Sequence, residues 1–468
     1  MHEVVAALTE IAGPDAVRAG DQIAPDDTHD ESLTEPGVVP LAVVRPTTTA
    51  AVSAIMALAT DWRLGVVARG SGTGLSGACI PAPGGIVVAF DAMKRIVEVD
   101  PANQVAVVEP GVTLAELDAA VAPAGLFYPV APGENSASLG GNVATNAGGM
   151  RAIRYGVTRH NVLGLEAVLA GGAVIRTGGK FVKSSAGYDL TQLLIGSEGT
   201  LALITEVTVK LSTRPACSAT LLAPFADLAT VTRAVPPLLA GPATPLILEY
   251  LDSLTMGAVT ASAGVDLAIP DAVRDAALAY LVVVLESRRH DRLDEDVEET
   301  AGLLDRLGAL DVYVLSPGAG ADLISAREKA FYVARTSGAD DILDVVVPRA
   351  EMEPFLSTVT ALAERDGALL AVCGHVGDGN VHVSVFQPDR VRRERLEGAI
   401  LAAGVAAGGA ISGEHGIGTA KLGYFLALED PVKVELMARL KAAFDPTGIL
   451  GPGRIPGPPS GAAAGGVR

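Results

Sequence analysis

Arg69-Gly70-Ser71-Gly72-Thr73-Gly74-Leu75-Ser76-Gly77 follows a short apolar run, Leu64–Ala68, and the reading of this glycine-rich turn decides the fold. It contains GxGxxG at Gly72, Gly74 and Gly77. As a dinucleotide fingerprint that spacing needs a helix straight after the glycines. Here Ala78-Cys79-Ile80-Pro81-Ala82-Pro83-Gly84-Gly85 follows, and two prolines and two glycines cannot begin a helix. A Rossmann unit is excluded on that ground, and a Walker-type NTPase by the lack of any GxxxxGK[ST]. Two readings remain. One is a tight turn between strands. The other, which the glycine density favours, is a nest of main-chain N–H groups converging on a pyrophosphate.

Outward from this turn, residues 1–35 read as a short helix and an acidic loop. Strands are expected at Val38–Val44, Leu64–Ala68, Ile86–Ala89, Val105–Glu109, Val162–Leu169, Ala173–Arg176 and Leu201–Leu211, with a helix at Thr49–Ala59. A second small-residue loop, Pro132-Gly133-Glu134-Asn135-Ser136-Ala137-Ser138-Leu139-Gly140-Gly141-Asn142, continues through Val143-Ala144-Thr145-Asn146-Ala147-Gly148-Gly149. A third is Gly196-Ser197-Glu198-Gly199-Thr200. Three such loops in one domain imply a long, extended cofactor. Near Ser212–Pro215 the pattern changes to apolar runs (Leu246–Tyr250, Tyr280–Glu286, Val312–Leu315) alternating with amphipathic helices such as Arg292–Leu307 and Glu351–Glu364. The expected organisation is an α+β protein with a cofactor domain at 1–215 (core 36–215) and a substrate or cap domain at 216–410. A segment at 411–455 completes the active site, and a Pro/Gly/Ala tail at 456–468 is expected to be disordered.

Bulk properties agree. A chain of 468 residues with 49% hydrophobic and 19% charged side chains can build two cores. A formal charge of −19 argues against nucleic acid as a partner. No signal peptide or apolar span long enough for a membrane is visible. Three scattered cysteines, Cys79, Cys217 and Cys373, support neither a disulfide framework nor an iron–sulfur cluster. A cytoplasmic location is expected, with or without peripheral attachment to a membrane through partner subunits.

Three of the seven histidines fall close together: His375, His382 and His415. Asp378-Gly379 reads as a two-residue hairpin turn between Leu369–His375 and Val381–Val385. That register sets His375 directly opposite His382, close enough to share a divalent metal. A lone histidine is usually a satisfied polar residue, and the facing pair is what favours a site. Ser412-Gly413-Glu414-His415-Gly416-Ile417-Gly418 adds a carboxylate as third ligand and, beside it, a general base.

Together these loops resemble the vanillyl-alcohol oxidase / p-cresol methylhydroxylase flavoproteins. The fuller likeness, from about Glu35 to Arg454, is to their D-2-hydroxy-acid dehydrogenase branch (glycolate dehydrogenase flavoprotein subunits, D-lactate and D-2-hydroxyglutarate dehydrogenases). The resemblance implies a two-domain flavoprotein fold, with Arg69, Gly70, Ser71, Gly72, Thr73, Gly74 and Leu75 at the FAD pyrophosphate. Pro132, Gly133, Ser138, Gly141, Asn142, Ala144, Thr145, Asn146 and Ala147 would line the ribityl–flavin path, and Glu198, Gly199 and Ile204 the adenosine half. Covalent attachment in that family uses a His or Cys near the first loop. Residues 66–78 hold neither, so dissociable FAD is expected.

The pattern GHxGDGNxH, followed by GEHGxG, implies a divalent metal, Zn or Mn, on His375, His382 and Glu414, with Asn380 alongside and His415 as base. Arg327 and Arg335 would approach the substrate carboxylate. Where hydroxyglutarate-oxidising relatives place a threonine and a lysine, this chain has Phe331 and Ile342, which argues against a long dicarboxylate. The run of histidines found in alkyl-glycerone-phosphate synthases is absent.

The expected activity is oxidation of a small D-2-hydroxy acid to the 2-oxo acid, with electrons passed to a quinone, an iron–sulfur subunit or an electron-transfer flavoprotein. The alternative is an electron-relay subunit without its own turnover. A homodimer is compatible with either.

Overall fold

A computed structural model describes residues 2–241 and 243–455, so the expected tail at 456–468 lies outside the described residues. Two sheets precede residue 212. In the first, Ala42–Val44, Ile86–Ala89 and Val66–Arg69 run parallel, with Val17–Arg18 on the edge. Their inward Val and Ile side chains pack on the helices His2–Ala12 and Thr49–Trp62. The second is antiparallel, in the order Ile96–Asp100, Val105–Val108, Leu203–Lys210, Val162–Val168, Val174–Gly178. As expected, no helix follows Gly77; the chain turns instead into the strand Ile86–Ala89.

One expected loop is a helix. Leu139–Thr145 is helical, with Ser138 as its N-cap and Asn146 (φ +54°) closing it. Its Gly, Asn and Thr content has low intrinsic helix propensity, so the sequence reads as loop. Val143 and Leu139, both buried in the core beneath the antiparallel sheet, supply the tertiary contacts that override propensity.

A seven-stranded antiparallel sheet begins at Cys217–Phe225. Its order is Tyr313–Val314, Cys217–Phe225, Ala279–Ser287, Ile247–Asp252, Leu369–Gly374, Asn380–Phe386, Asp341–Val346. Side chains alternate across a strand with period two. Leu248, Tyr250, Leu343, Val345, Val381, Val383 and Val385 therefore share one face, packed on the helices Leu228–Leu239, His290–Arg306, Met352–Asp366 and Arg390–Ala406. The interleaved residues Glu249, Asp344 and His382 are thrown to the opposite face. Period two thus separates core from chemistry.

The hairpin expected at Asp378-Gly379 has a different register. Cys373, not His375, pairs with His382, and His375 stands just beyond the strand end. The reason is the turn. The His375 carbonyl accepts N–H groups from Asp378, Gly379 and Asn380 at 3.0, 3.2 and 3.3 Å, which lengthens the connection to residues 375–379. The displacement is even-numbered, so both histidines still face the same side.

After residue 411 the chain returns to the first sheet. The main-chain N–H of Gly451 donates to Val66, and Arg454 donates to the carbonyls of Ala78 and Ile80. Lys441, almost wholly buried, donates to the carbonyls of Thr200 and Leu450 and pairs with Asp445 at 2.5 Å. Breaking a buried pair leaves an uncompensated charge. Asp445→Ala should therefore cost roughly 3–5 kcal/mol of stability, read from urea unfolding; a loss below about 1 kcal/mol would mean that this anchor is dispensable.

Candidate active site

The turn Gly70–Leu75 and the helix starting at Leu139 form opposite walls of a cleft of about 1200 Å³. Ser138 Oγ accepts N–H groups from Ser71 at 3.2 Å and Gly141 at 3.3 Å, stitching the walls together. A Cβ on Gly70 would meet that Oγ at 2.1 Å, and Gly72 sits at φ +78° with the Arg69 guanidinium where its Cβ would be. Of the residues expected at the cofactor, Gly70, Ser71, Gly72, Thr73, Gly74, Leu75, Pro132, Ser138, Gly141, Asn142, Ala144, Thr145, Ala147, Glu198, Gly199 and Ile204 line this cleft. Asn142 Nδ2 is buried there with no partner, a donor left for a ligand.

Three expected residues stand elsewhere. Arg69 is turned behind the loop, donating to the His29 carbonyl at 2.6 Å. Gly133 lines the neighbouring cavity. Asn146 accepts the Arg159 N–H at 3.0 Å and serves as a helix cap. Glu198 reaches the cleft, but its carboxylate is taken up by the N–H groups of Ile417 and Gly418, both at 2.7 Å. Cys79 also lines the cleft, and burial pushes its thiol up to about 12, which keeps it protonated.

At the far end stand the histidines. His375 Nε2, His382 Nε2 and Glu414 Oε1 lie 3.4, 3.1 and 3.3 Å apart (His–His, His375–Glu414, His382–Glu414). Ligands on a tetrahedral ion with bonds of about 2.0–2.1 Å are separated by about 3.4 Å, so this set fits one divalent metal. Glu414 Oε2 and His382 Nδ1 are buried without a hydrogen-bond partner. Asp344, His382 and His415 form a second, overlapping set of close ligand atoms.

Two acids missed in the sequence organise this group. Glu249, fully buried, accepts from His375 Nδ1 at 2.5 Å and lies 2.8 Å from the Arg327 guanidinium. Asp344, directly opposite His382 in the sheet, accepts from Ser412 Oγ at 2.8 Å and from the N–H groups of Glu414 and His415 at 2.9 and 2.8 Å. The signal was present: a single acid inside each of the apolar runs Leu246–Leu251 and Ile342–Val347. A carboxylate is almost never buried unpaired.

These charges set the protonation states. Burial would lower His375, but Glu249 and Glu414 on its two sides outweigh it and hold the imidazole well above its ordinary range. Burial would raise Glu414, and His375 instead brings it well below. His415, stacked on His382 with ring centroids 5.2 Å apart, is pushed by burial to about 4 against the pull of Asp344. It is therefore a neutral imidazole near neutrality, able to accept a proton.

A second cavity of about 1320 Å³ adjoins the cleft, and Leu75, Pro132, Glu414 and His415 line both. Arg327, 6% exposed, lines it with Nε lacking a hydrogen-bond partner, while its Nη2 lies 2.8 Å from Glu249. Arg335 does not reach it. It points outward and pairs with Glu31, because the helix Ala330–Thr336 turns it to the surface. Asn380 is buried beneath Gly413, outside both linings, where it packs under the loop.

Residues 40–178 match the family model described as FAD binding domain, and residues 214–455 match FAD linked oxidases, C-terminal domain. The chain belongs to the FAD-linked oxidases. An uncharacterized FAD-linked oxidoreductase of Mycobacterium tuberculosis is 54% identical, over 97% of this chain and 99% of its own length. Glycolate oxidase subunit GlcD of Bacillus subtilis is 36% identical, over 89% of each chain. The D-lactate dehydrogenase of Archaeoglobus fulgidus is 37% identical, over 92% of this chain and 96% of its own. The fold matches that of p-cresol methylhydroxylase with a TM-score of 0.79 at 20% identity, over 97% of this chain and 96% of that one. No helix among the described residues is long and apolar enough to cross a membrane.

Valine at position 72 would both crowd the Arg69 guanidinium and disfavour the positive φ. Gly72→Val should purify with less than about a tenth of the flavin of the parent, by the ratio of visible to ultraviolet absorbance, while acid should release all FAD from the parent. Retention of normal flavin by the variant would show that the turn does not hold the pyrophosphate.

Proposed function

We propose that this FAD-linked oxidoreductase oxidises a D-2-hydroxy acid to the corresponding 2-oxo acid. The observation that carries the proposal is the junction of the two cavities. There a neutral imidazole, a candidate metal-ligand set and an unsatisfied guanidinium converge beside the flavin cleft. The D-lactate dehydrogenase and glycolate oxidase relatives point to the same substrate class.

When bound, FAD supplies the hydride acceptor at its N5, and a divalent ion on His375, His382 and Glu414 supplies a Lewis acid for the substrate oxygens. The protein's own groups do the rest. Arg327 receives the substrate carboxylate on the edge that carries its unpartnered Nε, while Glu249 holds the guanidinium through Nη2. His415 takes the proton from the 2-hydroxyl oxygen as the Cα–H bond gives up its electron pair and the C=O bond forms. Glu249 also holds His375 by its Nδ1, and Asp344 holds the backbone of Glu414 and His415, so the base and the acidic ligand are placed by one loop. Turnover would need a separate electron acceptor, of the quinone, iron–sulfur subunit or electron-transfer flavoprotein class. A relay subunit alone has no use for a half-buried base and a carboxylate clamp, which favours turnover by this chain.

Anaerobic mixing with D- and L-2-hydroxy acids should bleach the flavin with the D series only. His382→Ala should lower metal content by elemental analysis, since it removes one of three ligands. His415→Ala should keep its metal yet reduce flavin roughly 10²–10⁴-fold more slowly. Equal metal loss in both variants would make His415 a ligand rather than a base. An unchanged reduction rate in both would refute the mechanism.

A further inference from the structure

We infer that the substrate is a 2-hydroxy monocarboxylate with an extended apolar substituent, rather than glycolate, lactate or a hydroxy dicarboxylate. This rests on the activity proposed above and specifies its substrate. The cavity beside His415, part of whose roughly 1320 Å³ is open solvent, still has room for a ligand larger than glycolate or lactate. Its walls beyond Arg327 are formed by Val259, Phe331, Val333, Ile342, Ala371 and Phe386. Away from the histidines and Glu414, this surface is interrupted by Glu328 beside Arg327, the hydroxyls of Thr255, Ser337 and Ser384, and the Cys373 thiol.

Charge points the same way. Arg327 is the one Lys or Arg among the lining residues, and Glu249 already neutralises part of it. Next to it Glu328 brings a carboxyl group to the same wall. With one carboxylate on Arg327, a second would lie among Phe331, Ile342 and Phe386 without a cation, which is strongly unfavourable. An alkyl or aryl group in that position loses water contact and gains packing. The chamber also opens outward between two large apolar side chains that are themselves unusually bare, Leu254 at 52% and Leu369 at 56% exposure. A rim of this kind lets a chain continue past the pocket and cover the exposed leucines.

The test is a homologous series on the flavin-loaded protein: glycolate, D-lactate, D-2-hydroxybutyrate, D-2-hydroxyhexanoate, D-2-hydroxyoctanoate and D-phenyllactate, with D-2-hydroxyglutarate as the dicarboxylate. Each buried methylene should raise kcat/KM about fourfold until the chain reaches the rim. D-2-hydroxyhexanoate should thus exceed D-lactate by at least about tenfold, and D-2-hydroxyglutarate should fall below both. As a readout independent of turnover, 2-oxooctanoate should perturb the oxidised flavin spectrum at lower concentration than pyruvate. Ala371→Phe, and separately Ala258→Leu on the facing helix, should erase the advantage of the long chains relative to D-lactate; flavin content reports whether each variant is folded. A flat or falling series, or preference for D-2-hydroxyglutarate, would overturn this inference while leaving the hydroxy-acid activity standing. Bleaching by no 2-hydroxy acid at all would overturn both.

Discussion

The loop 412–418 is clasped between two carboxylates, one fully buried and one half-buried, and the site depends on that clasp. Asp344, from the seven-stranded sheet, holds Ser412 and the backbone of Glu414 and His415. Glu198, from the flavin-side region, holds the backbone of Ile417 and Gly418. Hydrogen bonds to a carboxylate are among the stronger ones, and here they are shielded from water. Without them a glycine-flanked loop would sample many conformations, and neither His415 nor Glu414 would have a fixed position. The clasp takes one anchor from each half of the protein. It therefore also fixes the distance between flavin cleft and substrate chamber.

Much of this was readable in the chain. The prolines after Gly77 excluded a Rossmann helix, and the structure has none there. Most strands lie within a few residues of their expected ends, because alternating apolar residues carry a direct signal of burial. The cleft was legible through its glycine-rich loops: sixteen of the residues expected at the cofactor line it. What failed has physical causes. The helix Leu139–Thr145 is held by tertiary contacts that override its composition. The hairpin register depended on how many N–H groups the His375 carbonyl would accept, which spacing alone does not reveal. Arg335 and Arg327 differ only in which side of their helices faces inward. Glu249 and Asp344 were overlooked because each looked like an interruption of an apolar strand, whereas each is the partner that makes a buried cation or loop tolerable.

The same period-two alternation that builds the core of the seven-stranded sheet also distributes its chemistry. One face is almost purely aliphatic, while the other presents Glu249, Asp344 and His382 from three different strands. A rigid sheet is a better mount for such groups than loops are, since its hydrogen-bonded ladders resist small displacements. The helices Ser253–Ala263, Pro317–Glu328 and Ala330–Thr336 then roof this face and leave the chamber open toward the flavin side. Roof and floor both line the cavity, Arg327, Phe331 and Val333 from the helices and Ile342, Ala371, His382 and Phe386 from the strands.

The clasp has a temporal meaning as well. During synthesis the flavin turn emerges first, Glu198 next and Asp344 later, while the segment from Ser412 leaves the ribosome only after all of them. A chain that has already gathered the glycine-rich cleft still lacks both His415 and Glu414. The loop 412–418 thus has its anchors only once Asp344 and Glu198 are both in place.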